Sequence, residues 1–214
     1  MSIILCTQHK GGVGKTTLAV HFAGILISQL NRILLIDCDT QSNAWLFYFG
    51  DKPQAPLEIR EYSNRLSIVW NPQREPIRRL ADIESYDHVI FDMSTPLPDT
   101  VQVIAANHPD KIFIPVSPNP WAVEALSDNL PVIAALEEQS LVQPEITIVP
   151  LGSSKKEIDD KIKIINEVPK RYKVARRMRY LAKETDQALR EGDFIWNYQK
   201  LEDVRDYFVS LLKL

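Results

Sequence analysis

The chain has 214 residues, 45% of them apolar and 25% charged, with a net charge of −3 at neutral pH. That balance suits a single globular domain with a sizeable core, residues 1–214. No apolar run approaches the length of a membrane span, the start lacks a signal peptide's basic-then-apolar layout, and the only cysteines, Cys6 and Cys38, lie in predicted core strands as small buried side chains, which together predict a cytoplasmic protein.

Short apolar runs alternate with longer stretches of helical period. In chain order the expected strands are Ile3–Thr7, Ile33–Asp37, Leu66–Val69, His88–Asp92, Lys111–Val116 and Ile146–Leu151, with a short seventh near Tyr172–Ala175. The expected helices are Lys15–Leu30, Asn43–Phe49, Ile77–Ile83, Thr100–Asn107, Trp121–Gln139, Lys156–Glu167, Leu181–Glu191 and Leu201–Leu212. Strands that are apolar almost throughout are covered on both faces, as in a parallel sheet flanked by crossover helices. The predicted class is therefore α/β, a doubly wound and mostly parallel sheet, with ligands beyond the carboxyl ends of the strands.

The most informative segment, Lys10-Gly11-Gly12-Val13-Gly14-Lys15-Thr16-Thr17, falls at such an end, between the first strand and the first helix. It is a variant of the phosphate loop G-x-x-x-x-G-K-[ST], with Gly11 only three residues before Gly14 and an added lysine at its head. Its glycines let successive N–H groups point at phosphate oxygens, and the following helix adds the positive end of its dipole. Lys15 reaches the β- and γ-phosphates, the Thr16 hydroxyl is placed to ligate Mg²⁺, and Asp92 closes a later strand where an acid holds the ion's water shell. The implied ligands are a nucleotide's phosphates and Mg²⁺, with Gly11, Gly12, Val13, Gly14, Lys15, Thr16 and Thr17 around the phosphates. Asp37 and Asp39 lie two apart and share one face of an extended strand. Asp37 reads as a partner of the Mg²⁺ shell, or else as a solvated carboxylate at a strand end.

This loop resembles the deviant Walker A box of the ParA/MinD superfamily, a P-loop NTPase-like group. Two more segments agree: Arg32 to Ala44 with the Walker A′ strand ending in D-x-D-P-Q, and Tyr86 to Asp92 with the Walker B strand. The resemblance implies an ATP hydrolase, weak alone and stimulated by a partner. It gives Asp39 the role of orienting the attacking water. It gives Lys10 that of crossing an ATP-dependent sandwich homodimer to touch the phosphates of the other subunit, so that Lys10, Lys15 and Asp39 form the catalytic set. The family pattern is broken in three places. Thr40 stands where proline is usual, Asp92-Met93-Ser94-Thr95-Pro96 replaces D-x-P-P, and Gln8-His9 precede Lys10 in place of asparagine-glutamine. None removes a phosphate or Mg²⁺ ligand.

Charge is uneven along the chain. Residues 1–150 carry 10 basic against 17 acidic residues, whereas Lys155–Arg179 carries 10 basic against 4 acidic. In small ParA-like proteins, those without an N-terminal helix-turn-helix, this region holds a surface for non-specific DNA. Lys170, Arg171, Lys173, Arg176, Arg177 and Arg179 are the corresponding residues here, and the expectation is salt-sensitive binding and nucleoid association. The competing reading is a solvated face whose arginines pair with Glu157, Asp159 and Asp160. The resemblance further implies a cargo-bound adaptor of ParB type. The alternative within the superfamily is a MinD-like membrane-cycling regulator. The last helix argues against membrane partnership, because Glu202, Asp203 and Asp206 would be repelled by anionic lipid, and it is expected to pack on the sheet. His9, His21, His88 and His108 match no metal spacing, and Trp45, Trp70, Trp121 and Trp196 read as packing residues.

Overall fold

The structure is a computed structural model that describes residues 1–214 apart from 81, 94–95, 140–142 and 214. Eight strands form one sheet: β1 (Ser2–Cys6), β2 (Ile33–Asp37), β3 (Ile59–Ser63), β4 (Leu66–Trp70), β5 (His88–Asp92), β6 (Lys111–Val116), β7 (Glu145–Pro150) and β8 (Tyr172–Val174). Their order is β3-β4-β2-β5-β1-β6-β7-β8. Every pairing is parallel except that of β3 with β4. The helices are α1 (Lys15–Ser28), α2 (Asn43–Phe49), α3 (Leu97–Asn107), α4 (Pro120–Glu124), α5 (Leu126–Gln139), α6 (Lys155–Lys163), α7 (Ala182–Glu191) and α8 (Glu202–Lys213).

The expected doubly wound sheet is what forms, and the alternation of side chains shows why its strands are apolar throughout. Ile4, Cys6, Ile33 and Leu35 enter one core with residues of α1, α2, α7 and α8. Their neighbours Ile3, Leu5, Leu34 and Ile36 enter a second core with α3, α4, α5 and α6. A strand buried on both faces loses the polar half of the two-residue pattern. The apolar face of α8 (Val204, Tyr207, Phe208, Leu211) is buried, and the helix packs against α1. Among the described residues, no helix is long and apolar enough to cross a membrane.

Four elements differ from expectation. The strand β3, Ile-Arg-Glu-Tyr-Ser, is short, polar and half-exposed, as suits an antiparallel edge, so it carries no apolar run to announce it. The helix expected over Ile77–Ile83 is absent as such. A 3₁₀ turn at Ile77–Arg79 gives way to extended backbone at Leu80, Asp82 is left-handed, and a second 3₁₀ turn follows at Ile83–Ser85; residue 81 of that expected helix lies outside the described residues. The helix expected over Trp121–Gln139 is interrupted at Ala125. The carbonyl of Ala125 accepts from the backbone N–H groups of Asp128 and Asn129 and also from the Asn129 side chain. The expected Lys156–Glu167 helix stops at Lys163. Trp121 is 69% exposed and so is no packing residue.

Candidate nucleotide site

The loop from Lys10 to Gly14 joins β1 to α1 at the carboxyl end of the sheet. Gly12 and Gly14 have φ values of 70° and 107°, a region that costs most other residues strain. A methyl group on Gly14 would also lie 2.4 Å from Cδ1 of Leu151, so the leucine side chain would have to shift to admit it. On Gly11 or Gly12 it would meet nothing within 4 Å. The loop thus keeps a smooth open floor there, with room for a ligand. No side chain caps α1, whose first-turn N–H groups are left to an anion.

Around this floor runs a cleft of about 540 Å³. Gly11 through Thr17 line its base together with Asp39 and Asn43, and Ser117, Pro118 and Asn119 form one wall. The opposite wall is Leu151, Met178, Tyr180, Leu181, Ala182, Thr185, Asp186 and Leu189. Sequence reasoning missed this second wall, because its leucines and methionine resemble ordinary core. Its one usable signal is Gly152, where a side chain would collide with Tyr180. An apolar slot with a few polar groups at its edge suits a flat, partly polar ring system such as a nucleobase.

At the base of the cleft Thr16 Oγ1 donates to Asp92 Oδ2 at 2.7 Å. Asp92 is buried, and its other oxygen, Oδ1, has no hydrogen-bond partner. Burial, reinforced by the nearby Asp37, holds the Asp92 pKa well above the usual carboxylate range. Asp37 lies directly beside Asp92 in the β2–β5 register. Its Oδ1 accepts from the Asp39 N–H and its Oδ2 from the Trp45 N–H, both at 2.9 Å. Burial nevertheless pushes its pKa up to about 7. An adjacent pair of buried carboxylates, one with an idle oxygen beside a hydroxyl, is the donor set of a hard divalent cation. The residues present therefore fit Mg²⁺, which Thr16 and Asp92 would hold, with Asp37 engaged by backbone amides beside them. Among the described residues there is no cluster of three or more His, Cys, Asp or Glu shaped to hold a metal alone.

Lys15 is buried, and its Nζ donates to the Lys10 carbonyl at 3.1 Å. Burial lowers its pKa, against the pull of Asp92 and Asp39. Asp39 lines the cleft with a half-exposed side chain whose Oδ1 accepts from the Gln41 N–H at 2.9 Å. The head of the loop is tied to α5: Gln8 and His9 both reach Asn129, and His9 Nε2 lies 3.4 Å from Asp128 Oδ2. Of the Walker B continuation, Ser94 and Thr95 lie outside the described residues.

Members of the basic segment are distributed differently from one another. Arg171 pairs with Glu145 at 3.1 Å and Arg179 with Asp203 at 2.8 Å. Arg176 lies over the Tyr207 ring, and burial lowers the pKa of half-buried Lys173. Lys170 and Arg177 are exposed. Arg171 and Arg179 thus pair outside the acidic trio expected for the arginines, whereas Asp159 and Asp160 pair with Lys155 and Lys163.

Residues 4–201 match the family described as the CobQ/CobB/MinD/ParA nucleotide binding domain. The chain belongs to this family. Among relatives, it is 25% identical to the sporulation initiation inhibitor protein Soj of Bacillus subtilis, over 80% of each chain. It is 52% identical to the chromosome partitioning protein ParA of Myxococcus xanthus, over 58% of this chain and 55% of that one. It is 27% identical to the maintenance of carboxysome distribution protein A of Gloeobacter kilaueensis, over 60% and 55%. The chain therefore spans little more than half the length of two of these three. An ATP complex of McdA from Cyanothece superposes with a TM-score of 0.75 at 22% identity, covering all of this chain and 97% of the other. MinD from Pyrococcus horikoshii, solved with Mg-ADP, gives 0.70 at 17% identity, over 98% and 93%. The fold and the nucleotide-binding family are those that the three sequence motifs imply.

Proposed function

We propose that this family member is an ATP hydrolase of the ParA type, which closes as a homodimer around ATP and positions a cargo with the help of an adaptor protein. The observation that carries the reading is the pair Thr16 and Asp92 beneath a glycine floor, with Asp92 Oδ1 buried and unpartnered. A site built this way costs stability and is explained by the ligand it awaits. In this reading the amides of Gly11 to Thr17 cradle the triphosphate, and Lys15 leaves the Lys10 carbonyl for the β- and γ-phosphates. Thr16 and Asp92 hold Mg²⁺, which when bound offsets phosphate charge. Asp39 orients a water whose oxygen forms a bond to the γ-phosphorus as the bond from that phosphorus to the bridging oxygen breaks, so that ADP leaves with that oxygen and the water's proton passes to the released phosphate. Lys10 of a second copy adds positive charge to that transition state. Trp121, exposed and two residues from the cleft wall at Asn119, supplies apolar surface for the same closure.

The exposed cations Lys170, Arg177 and Arg176 are the strongest candidates for binding DNA phosphates, which would place the protein on the nucleoid in the cytoplasm. The cargo class is a plasmid, a chromosome region or a protein assembly such as a carboxysome, in keeping with the names of the relatives. The test is ATP turnover with and without Mg²⁺, DNA and the adaptor, together with retention on DNA and on anionic vesicles. Mg²⁺-dependent turnover with ATP-dependent DNA retention supports the proposal. Retention on vesicles alone would favour the MinD-like cycle.

A further inference from the structure

Asp39 is the cleft residue whose direction matters most to the proposed chemistry, yet it stands in a loop just past β2. The structure shows what holds its backbone. Its N–H donates to Asp37 Oδ1 at 2.9 Å. Its carbonyl accepts from the Ser42 N–H at 3.0 Å and from the indole Nε1–H of Trp70 at 2.9 Å. Trp70 ends β4 and pairs with Asp37 in the β2–β4 register. It is itself anchored, its N–H donating to the Glu58 carbonyl at 3.1 Å and its carbonyl accepting from the Leu57 N–H at 2.7 Å. One residue on, the Asn71 N–H donates to the Asp37 carbonyl at 2.8 Å. The end of β4 therefore works as a bracket for the Asp37–Asp39 segment.

The bracket has a reason in the sequence. A proline after Asp39 would itself confine the Asp39 backbone to extended conformations. Thr40 imposes no such limit. The atom that Trp70 grips is the carbonyl of the peptide joining Asp39 to Thr40, so the indole restrains the dihedral that Thr40 leaves free.

We propose that Trp70 is a positioning residue of the hydrolytic site, acting through the Asp39 peptide to keep the Asp39 carboxylate directed into the cleft. The inference rests on the reading of Asp39 as the group that orients water. Trp70 does not line the cleft, so its loss acts on the rate and leaves nucleotide affinity alone.

The test compares Trp70→Phe, which keeps an aromatic ring and removes the N–H, with Asp39→Ala. In Trp70→Phe, kcat falls about tenfold, the worth of one neutral hydrogen bond. KM and the Kd for Mg-ATP stay within about twofold, since binding and chemistry are separable in this way. Amide hydrogens of residues 39–42 exchange faster in Trp70→Phe. In the unmodified protein the Trp70 indole N–H exchanges more slowly than that of exposed Trp121, a measurement that needs no variant to fold. Unchanged kcat in Trp70→Phe, with turnover lost in Asp39→Ala, overturns this inference and spares the function. Normal turnover in Asp39→Ala overturns both. Equal loss of affinity and rate in Trp70→Phe, or a Trp70 indole N–H that exchanges as fast as that of Trp121, reduces Trp70 to a packing role.

Discussion

Thr16 gives its hydroxyl hydrogen to Asp92 Oδ2 at 2.7 Å, across 76 residues of sequence, and leaves Asp92 Oδ1 buried with no partner. The bond joins the first turn of α1 to the end of β5, where the proposed Mg²⁺ would be held. Two buried carboxylates on neighbouring strands are an expensive arrangement without a cation.

Asp92→Asn should therefore stabilise the ligand-free fold while damaging the site. We expect a gain of roughly 1–2 kcal/mol in ligand-free unfolding free energy, the size seen when a functional group's burial cost is removed. The Mg²⁺-dependent part of ATP affinity should fall by about tenfold or more, as for loss of a charge-assisted ligand. Calorimetric titration with and without Mg²⁺, beside denaturant unfolding, checks both. A destabilised variant with intact Mg²⁺ dependence would remove Asp92 from the metal site.

Lys10 and Lys15 are five residues apart but should act on different nucleotides. Lys10→Ala keeps its backbone carbonyl, and so the anchor of Lys15 Nζ. Lys15→Ala keeps a Lys10 side chain to offer to a partner. Each alone should be inactive, and a mixture should recover part of the adaptor-stimulated turnover through mixed dimers. No recovery at any mixing ratio would place both lysines in the same cup.

His21 should make stability fall in acid. It is fully buried in α1, its Nδ1 2.7 Å from the Thr17 carbonyl while Nε2 accepts from the Ile195 N–H at 3.0 Å, so it is held neutral. Burial pushes its pKa from 6.5 down to about 4. Below 6.5 the unfolded chain binds a proton that the folded chain refuses, so stability is present above that pH and lost as pH falls toward 4. The expected loss is about 2 kcal/mol at about pH 5. Asp37 and Asp92, with raised pKa values, work in the opposite sense. Denaturant unfolding of wild type and His21→Gln across this range isolates the histidine. Parallel pH profiles would contradict the assignment.

Charge reversal should discriminate within the basic segment. Arg177 is exposed, whereas Arg171 and Arg179 are engaged with Glu145 and Asp203. Arg177→Glu should weaken DNA retention and flatten its salt dependence by about one to two ions, according to how many phosphates the arginine neutralises. Arg171→Glu should do less. Filter binding over a salt series measures this, and equal effects would show that the ion pairs open on DNA.

The loop at Lys10 to Thr17 was legible because its chemistry is local: glycine conformation, lysine and hydroxyl follow one another in the chain. The parallel sheet was legible because doubly buried strands have no polar alternation. The second wall of the cleft was hidden, since Met178 and Leu181 also belong to the hydrophobic core and nothing in their spacing marks them as cleft residues. The strand β3 was hidden because an edge strand needs no apolar run. The role of Trp70 was also out of reach. Its indole bond to Asp39 depends on the pairing of β2 with β4, a neighbour relation that the spacing of residues does not encode.

The central claim is that the glycine cup grips ATP and that a twin molecule completes the site. The most direct test is the particle mass of the Asp39→Ala protein in ATP and Mg²⁺, in ADP and Mg²⁺, and with Lys15→Ala added to it. The account predicts twice the mass of one chain with ATP alone among these conditions. A single-chain mass with ATP, or a doubled mass that survives ADP or Lys15→Ala, would contradict it.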